Sequence, residues 1–413
     1  MKKYLIFLML LGTCHLMAQD LIEWRGPNRS GVFNETGLLK QWPASGPTML
    51  WSNEELPTGW SSMTIAHNCL FLTGRVDTMD AVVAVGLDGK TRWITPYGNY
   101  WEDSFPESRC TPTIDGNRLY VSSGGGDVAC INALNGSIIW KIKAHQIFEG
   151  TFGYWGISES LIVLGDKVFY TPGGDKTTMV ALNKMTGETI WMSESLHDKP
   201  AYVSPLLVQH GDYQLIVNLT ENFVFGINPA DGSILWQFDY GKYCDEDGKA
   251  NIHANTPLYH KGEIFISNGY NHDAIMLKLA DDNRSVSLKY VNKVLDVHHG
   301  GLLQIGDNIY GSSWKNNDMG SWVCLDWNSG ETRFEQEWNN KGSIIAADGM
   351  LYCYDEKRGN FGLVKADPAK FEIISSFKIP LGKGAHWAHP VIHNKILYVR
   401  HGNALMAYDI AEK

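Results

Sequence analysis

No two cysteines in this 413-residue chain stand close enough to form a zinc knuckle or a redox motif. There is no CxxC, no adjacent pair and no CxxCH, which removes zinc-knuckle, thioredoxin-like and c-type haem readings. Basic residues are outnumbered, 35 Lys and Arg against 45 Asp and Glu, for a formal net charge of −10. That balance, without any basic run, argues against a nucleic-acid backbone or an anionic membrane surface as partner. Charged residues make up only 19% and hydrophobic ones 44%, a composition that buries a large core instead of staying disordered. Past the N-terminus no apolar stretch reaches transmembrane length.

The first residues read as a secretory leader. "MKKYLIFLMLLGTCHLMAQD" opens on Lys2 and Lys3 and continues in the apolar run Tyr4–Leu11. It ends in "LMAQD", which makes residues 1–18 a signal peptide cleaved after Ala18. The run is shorter than the ~20 residues of a membrane span, so cleavage is expected in place of anchoring. A lipoprotein reading through Cys14 fits less well, because Thr13 stands where a small Gly, Ala or Ser is wanted. The mature chain is therefore expected to be secreted or periplasmic, without a transmembrane segment. It keeps Cys69, Cys110, Cys130, Cys244, Cys324 and Cys353, several inside apolar strand patterns such as "DVACINAL" and "MLYCYD". There Cys serves as a small hydrophobe.

Glycine (42) and tryptophan (15) are abundant, and their spacing carries the architecture. A strand closing in "G-x-x-(L/V)-(Y/F)" leads to a "VxALD"-like strand, a Gly turn, and a last strand with Trp four residues after the Gly. The clearest copies are "LDGKTRW" (Gly89, Trp93), "LNGSIIW" (Gly136, Trp140), "MTGETIW" (Gly187, Trp191) and "ADGSILW" (Gly232, Trp236). The Trp-to-Trp steps are 47, 51 and 45 residues. A period of this size built from four short strands marks a propeller blade. Weaker copies fill residues 262–290 and end at Phe334 and Phe377, and the last, "HPVIHNKILYVRHGNALMAYDI", stops short of an outer strand. "GPTMLW", ending at Trp51, supplies that strand and closes the ring without an open edge. The expected fold is all-β: an eight-bladed β-propeller of four-stranded antiparallel blades over residues 47–413, behind a lead-in segment at 19–46. The tryptophans that close the blades are structural wedges.

The units "INALNGSIIW", "VALNKMTGETIW" and "INPADGSILW" resemble the tryptophan-docking repeat of the pyrroloquinoline-quinone (PQQ)-like propellers. "EWRGPNRSGVFNETGLLKQWPASGPTMLW" (Glu23–Trp51) resembles the opening of secreted members of that family common in Bacteroidetes and Planctomycetes. The family includes quinoprotein alcohol dehydrogenases, with PQQ and calcium on the propeller axis. It also includes a non-enzymatic lipoprotein of the outer-membrane β-barrel assembly machine. The resemblance implies the fold over the whole mature chain and leaves enzyme and scaffold both open. The vicinal cysteine pair that one dehydrogenase branch carries beside the quinone is absent.

Aligning the copies on their strand signature puts Gly116, Gly165 and Gly306 in register and brings Arg109 level with Ser158 and His299. Trp60, Tyr202, His253, Asn255, Lys341 and Trp387 fall at or near the same level, each at the start of an innermost strand. With Trp155, Glu159, His298, His386 and His389 they are expected to look into one axial funnel, with aromatic walls and a few converging polar groups. Three chemistries draw on this set. A quinone cofactor would pair its carboxylates with Arg109 and Lys341, stack on Trp155 or Trp387, and take calcium oxygens from Glu159 and Asn255. Proton abstraction from a sugar acid would use His298 or His299 with Tyr202, and Arg109 to neutralise the carboxylate. A divalent metal would sit among histidines of different blades, although no HxH or HExxH spacing defines it. His253, His386 and His389 complete the cofactor-binding candidates. The expectation is a small polar ligand in the funnel, a quinone or a sugar. The alternatives are a cell-envelope scaffold with a protein partner, and a PQQ-dependent dehydrogenase or glycan lyase. "DEDGKANIHANT" (Asp245–Thr256) starts like a calcium loop, but Thr256 stands where a bidentate Glu belongs, so it reads as a solvated loop.

Overall fold

The computed structural model describes residues 21–244 and 252–412. Residues 1–18, expected to be a signal peptide, and residues 245–251 of the calcium-like loop lie outside that range. Eight antiparallel four-stranded blades form the ring. Blades 1 to 7 cover residues 64–99, 113–142, 162–192, 206–239, 258–292, 297–336 and 342–378 in chain order. Blade 8 takes three strands from residues 391–409 and its outer strand, Thr48–Asn53, from the other end of the chain. That strand pairs antiparallel with Ala404–Asp409, the closure that the truncated last repeat implied.

Period-2 alternation builds the core. In blade 2, Leu119 and Val121 pack with Phe71 and Val82 of blade 1. Tyr120 between them points the other way and packs with Val168 and Tyr170 of blade 3. An inner strand of this kind therefore seals two inter-blade seams, which is why its residues are apolar on both faces. Several closing tryptophans latch their blade to the next. The Trp140 indole donates to the Lys184 carbonyl at 3.0 Å and the Trp191 indole to the Pro229 carbonyl at 3.2 Å. The Gly of the next blade's turn lies beneath each ring, where any Cβ would overlap it. Trp236 breaks the pattern. The fifth repeat carries Asn283 in its turn, and the buried Trp236 indole nitrogen has no hydrogen-bond partner.

The lead-in does more than its sequence foretold. Leu21–Ile22 adds antiparallel to Thr113–Asp115, the innermost strand of blade 2. Val32–Phe33 adds parallel to Gly342–Ala347, the innermost strand of blade 7. Between these anchors the segment crosses the axis and plugs the channel. Arg29 donates to the carbonyls of Ser160 and Leu161 in front of blade 3, both at 2.9 Å. Arg25 donates to Leu302 O (2.7 Å), Ile344 O (3.2 Å) and His389 Nδ1 (2.7 Å), which belong to blade 6, blade 7 and the entry to blade 8. Among the described residues, Cys69, Cys110, Cys130, Cys324 and Cys353 are unbridged.

Candidate functional site

Above the plug the axis opens as a cavity of about 530 Å³. Trp24 of the lead-in lines it together with residues from the entries or loops of every blade. Its aromatic wall has two parts. Trp60 and Trp387 meet edge to face at 4.5 Å, with Phe105 packed on both. Trp155 stacks with Tyr270 at 6.1 Å and tilts against Tyr202 at 5.5 Å. Between these groups stand His298, His299 and Glu356.

The stretch "VHHGG" explains how two consecutive histidines reach the axis. Val297 pairs with Ser313 and Leu302 with Gly311, so residues 298–301 bulge out of the ladder opposite Ser312 alone. A bulge re-aims side chains that strict alternation would send to opposite faces. Gly300 lies against the Gly342 carbonyl and Gly301, at φ 77°, against the Arg25 guanidinium, with no space for a Cβ at either. Asn255 brackets the bulge: its amide donates to Val297 O (2.7 Å) and His298 O (3.1 Å), and its carbonyl accepts from Gly301 N (3.1 Å). Because Arg25 donates to His389 Nδ1, the proton of His389 sits on Nε2, which donates to His299 O at 2.9 Å. Burial, then the Arg25 charge, keeps His389 neutral, its pKa well below the usual imidazole range.

Of the residues anticipated from sequence, the cavity gathers Trp60, Arg109, Trp155, Ser158, Tyr202, His298, His299, Trp387 and His389. The others are held in the walls. The Glu159 carboxyl meets the Thr171 N–H (3.0 Å) and hydroxyl (3.2 Å), and burial pushes its pKa up to about 8. His253 bonds the Glu221 carbonyl at 3.0 Å and stacks on Tyr240; burial lowers its pKa to about 3. His386 stacks on His401 at 3.6 Å and bonds the Tyr354 hydroxyl at 2.6 Å. Burial, with His401 adding to it, lowers His386 to about 3. Lys341, 1% exposed, pairs with Glu356 at 2.9 Å and donates to the Asn316 carbonyl at 2.9 Å.

Glu356, Tyr270 and Trp24 went unnoticed in the sequence. Glu356 follows the second strand of blade 7 and Tyr270 the second strand of blade 5, whereas the alignment tracked only the starts of innermost strands. Burial works to raise the Glu356 pKa, but the close imidazole of His298, then His299 and the Lys341 ammonium, outweigh it and hold it at about 2. His299 is neutral: burial, helped by His298, lowers it to about 3 against the pull of Glu356.

The residues do not fit PQQ with calcium. Arg109 spends its guanidinium on the carbonyls of Trp155, Ser104 and Phe105. Lys341 is committed to Glu356, and neither Glu159 nor Asn255 lines the cavity. The anion-pairing groups and calcium oxygens that such a cofactor needs are already engaged inside the protein.

Eight blades, indole latches at three seams among the described residues and a plugged, aromatic-walled axis define a β-propeller with an axial pocket. Residues 78–336, more than half of the chain, match the family model described as outer membrane protein assembly factor BamB, and the chain belongs to this PQQ-like propeller family. Among solved structures, BamB from Moraxella catarrhalis superposes with a TM-score of 0.63 at 14% identity, covering 88% of this chain and 99% of that one. A europium-containing methanol dehydrogenase gives 0.68 at 12% identity, covering 91% and 88%. The quinohemoprotein alcohol dehydrogenase from Comamonas testosteroni gives 0.65 at 11% identity, covering 94% and 79%. At these identities the likeness is one of fold. An uncharacterised Rickettsia conorii protein is 24% identical over 181 residues, and the match spans 40% of each chain. Among the described residues no helix is long and apolar enough to cross a membrane.

Proposed function

We propose that this protein is an extracytoplasmic binding propeller whose axial funnel takes a sugar of one or two rings. The observation that carries the reading is the cavity itself, about 530 Å³, walled by Trp60, Trp155, Trp387, Tyr202 and Tyr270 and floored by the lead-in. That volume suits a small ligand, and flat aromatic faces suit the C–H faces of a sugar ring. Serines at the inner-strand entries, with Lys357 and Glu356 on one side, offer polar contacts to hydroxyls or a sugar carboxylate. The leader supports export, with a mature chain beginning at Gln19.

Titrating neutral sugars and sugar acids into the purified protein while following tryptophan fluorescence tests the reading. A saturable change is expected, weakened at least about tenfold by Trp387→Ala, in line with the loss of one aromatic contact. No response from any sugar at millimolar concentration overturns it. Membership of the assembly-factor family supports a second reading, a protein partner bound outside the funnel. A chain carrying Trp60→Ala, Trp155→Ala and Trp387→Ala that still complements a deletion strain favours the partner reading.

A further inference from the structure

We propose that His298, His299 and Glu356 form a binding site for a divalent transition metal, with zinc the reference ion, on the funnel wall. One donor atom from each of His298, His299 and Glu356 lies within 4.8 Å of the other two. Glu356 Oε2 stands 3.4 Å from His299 Nε2 and 3.7 Å from His298 Nδ1. Donors about 2.1 Å from a tetrahedral zinc stand roughly 3.4 Å apart, so a small closing movement completes the set. Both imidazole nitrogens are buried, and Glu356 is their near neighbour at distances too long for a well-formed hydrogen bond. A cation shared by the two nitrogens and the Glu356 oxygen satisfies all three groups at once.

The outer groups favour the same assignment. Lys341 occupies Glu356 Oε1 at 2.9 Å, which leaves Oε2 for the metal. The Tyr270 hydroxyl bonds His298 Nε2 at 2.7 Å, which presents Nδ1 to the centre. His389 and Asn255 hold the bulge through the carbonyls of His299 and His298. Metal-ligating histidines and carboxylates are oriented by such second contacts. Two imidazoles and one carboxylate select zinc or another first-row ion over calcium, which takes oxygen ligands. Three protein donors leave a position open to the cavity, where a sugar hydroxyl or carboxylate would complete the shell. Only this last role rests on the sugar reading.

The test uses the full mature chain, free of any tag and stripped with chelator. Calorimetric titration with Zn²⁺ is expected to give one site, and Co²⁺ a visible d–d band at the same stoichiometry. His298→Ala and His299→Ala are each expected to weaken Zn²⁺ binding by about 100-fold or more and to remove the Co²⁺ band. Glu356→Gln strips the buried Lys341 of its counter-ion, so the two histidine variants, checked for wild-type melting in chelator, carry the decision. An absence of Zn²⁺ binding at micromolar concentration overturns the site, and so does binding that both variants retain unchanged. Sugar titrations run with chelator and with Zn²⁺ separate the two readings. Metal binding without sugar binding sinks only the sugar, and sugar binding without metal binding sinks only the metal.

Discussion

Arg25→Met tests whether the lead-in is a structural plug. Arg25 is 3% exposed and its guanidinium faces no carboxylate among the described residues; three acceptors from three places hold it. Met keeps most of the side-chain volume but leaves Leu302 O, Ile344 O and His389 Nδ1 buried without a donor. An unsatisfied buried acceptor costs about 1–3 kcal/mol. Burial also disfavours the guanidinium's charge, lowering its pKa to about 9, and the substitution recovers that part. A net loss of about 3 kcal/mol is the expected balance. For a chain of this length, an unfolding entropy of about 2.1 cal/mol/K per residue converts that loss to roughly 4 °C in Tm. Differential scanning calorimetry of the mature chain measures it, with Arg25→Lys expected to fall between the two because one ammonium cannot serve three directions. A Tm within about 1 °C of wild type would refute the plug as a stabilising element.

Two further predictions concern the blades. Trp140→Phe removes an indole bonded to the Lys184 carbonyl, whereas Trp236→Phe removes one with no partner. The ring loss is the same in both, so Trp140→Phe is expected to cost about 1 kcal/mol more in urea unfolding, and equal costs would contradict the latch. Glu159→Gln addresses pH. Burial holds the Glu159 pKa at about 8 against an ordinary value of 4.5, so the folded state keeps a proton that the unfolded state releases. Wild-type stability from this group is therefore full below about 4.5 and falls as pH rises to about 8. Gln mimics the protonated acid, so the variant's stability relative to wild type should climb across that window and level off above it. A difference that stays flat from pH 5 to 8 would show that the carboxyl ionises freely.

The circular order of the blades was legible because its signals are local. Each Gly turn and each Trp four residues later sits inside one hairpin, and apolar residues on both strand faces announce a neighbour on either side. The missing outer strand of the last repeat and the spare strand ending at Trp51 needed only to be counted. Polar residues at the strand entries were a different matter. Lys341 and Arg109 look equivalent along the chain, yet one lies under Glu356 and the other opens on the cavity. Asn255 and His299 stand at similar levels, but the bulge at 298–301 turns the imidazole inward while the amide braces the bulge from outside.

The sequence by itself determined the periodicity of this protein: blade composition, inter-blade latches and ring closure all follow from backbone alternation and turn chemistry. Only the tertiary structure decided what the axis contains. The plug pairs through backbone edges that any short segment offers. The cluster joins Glu356, just past a blade 7 strand, to His298 and His299 in a bulge of blade 6, 58 and 57 positions away, and no repeating pattern links them. Alternation sets the face of a strand; it does not set which loop from another blade meets that face.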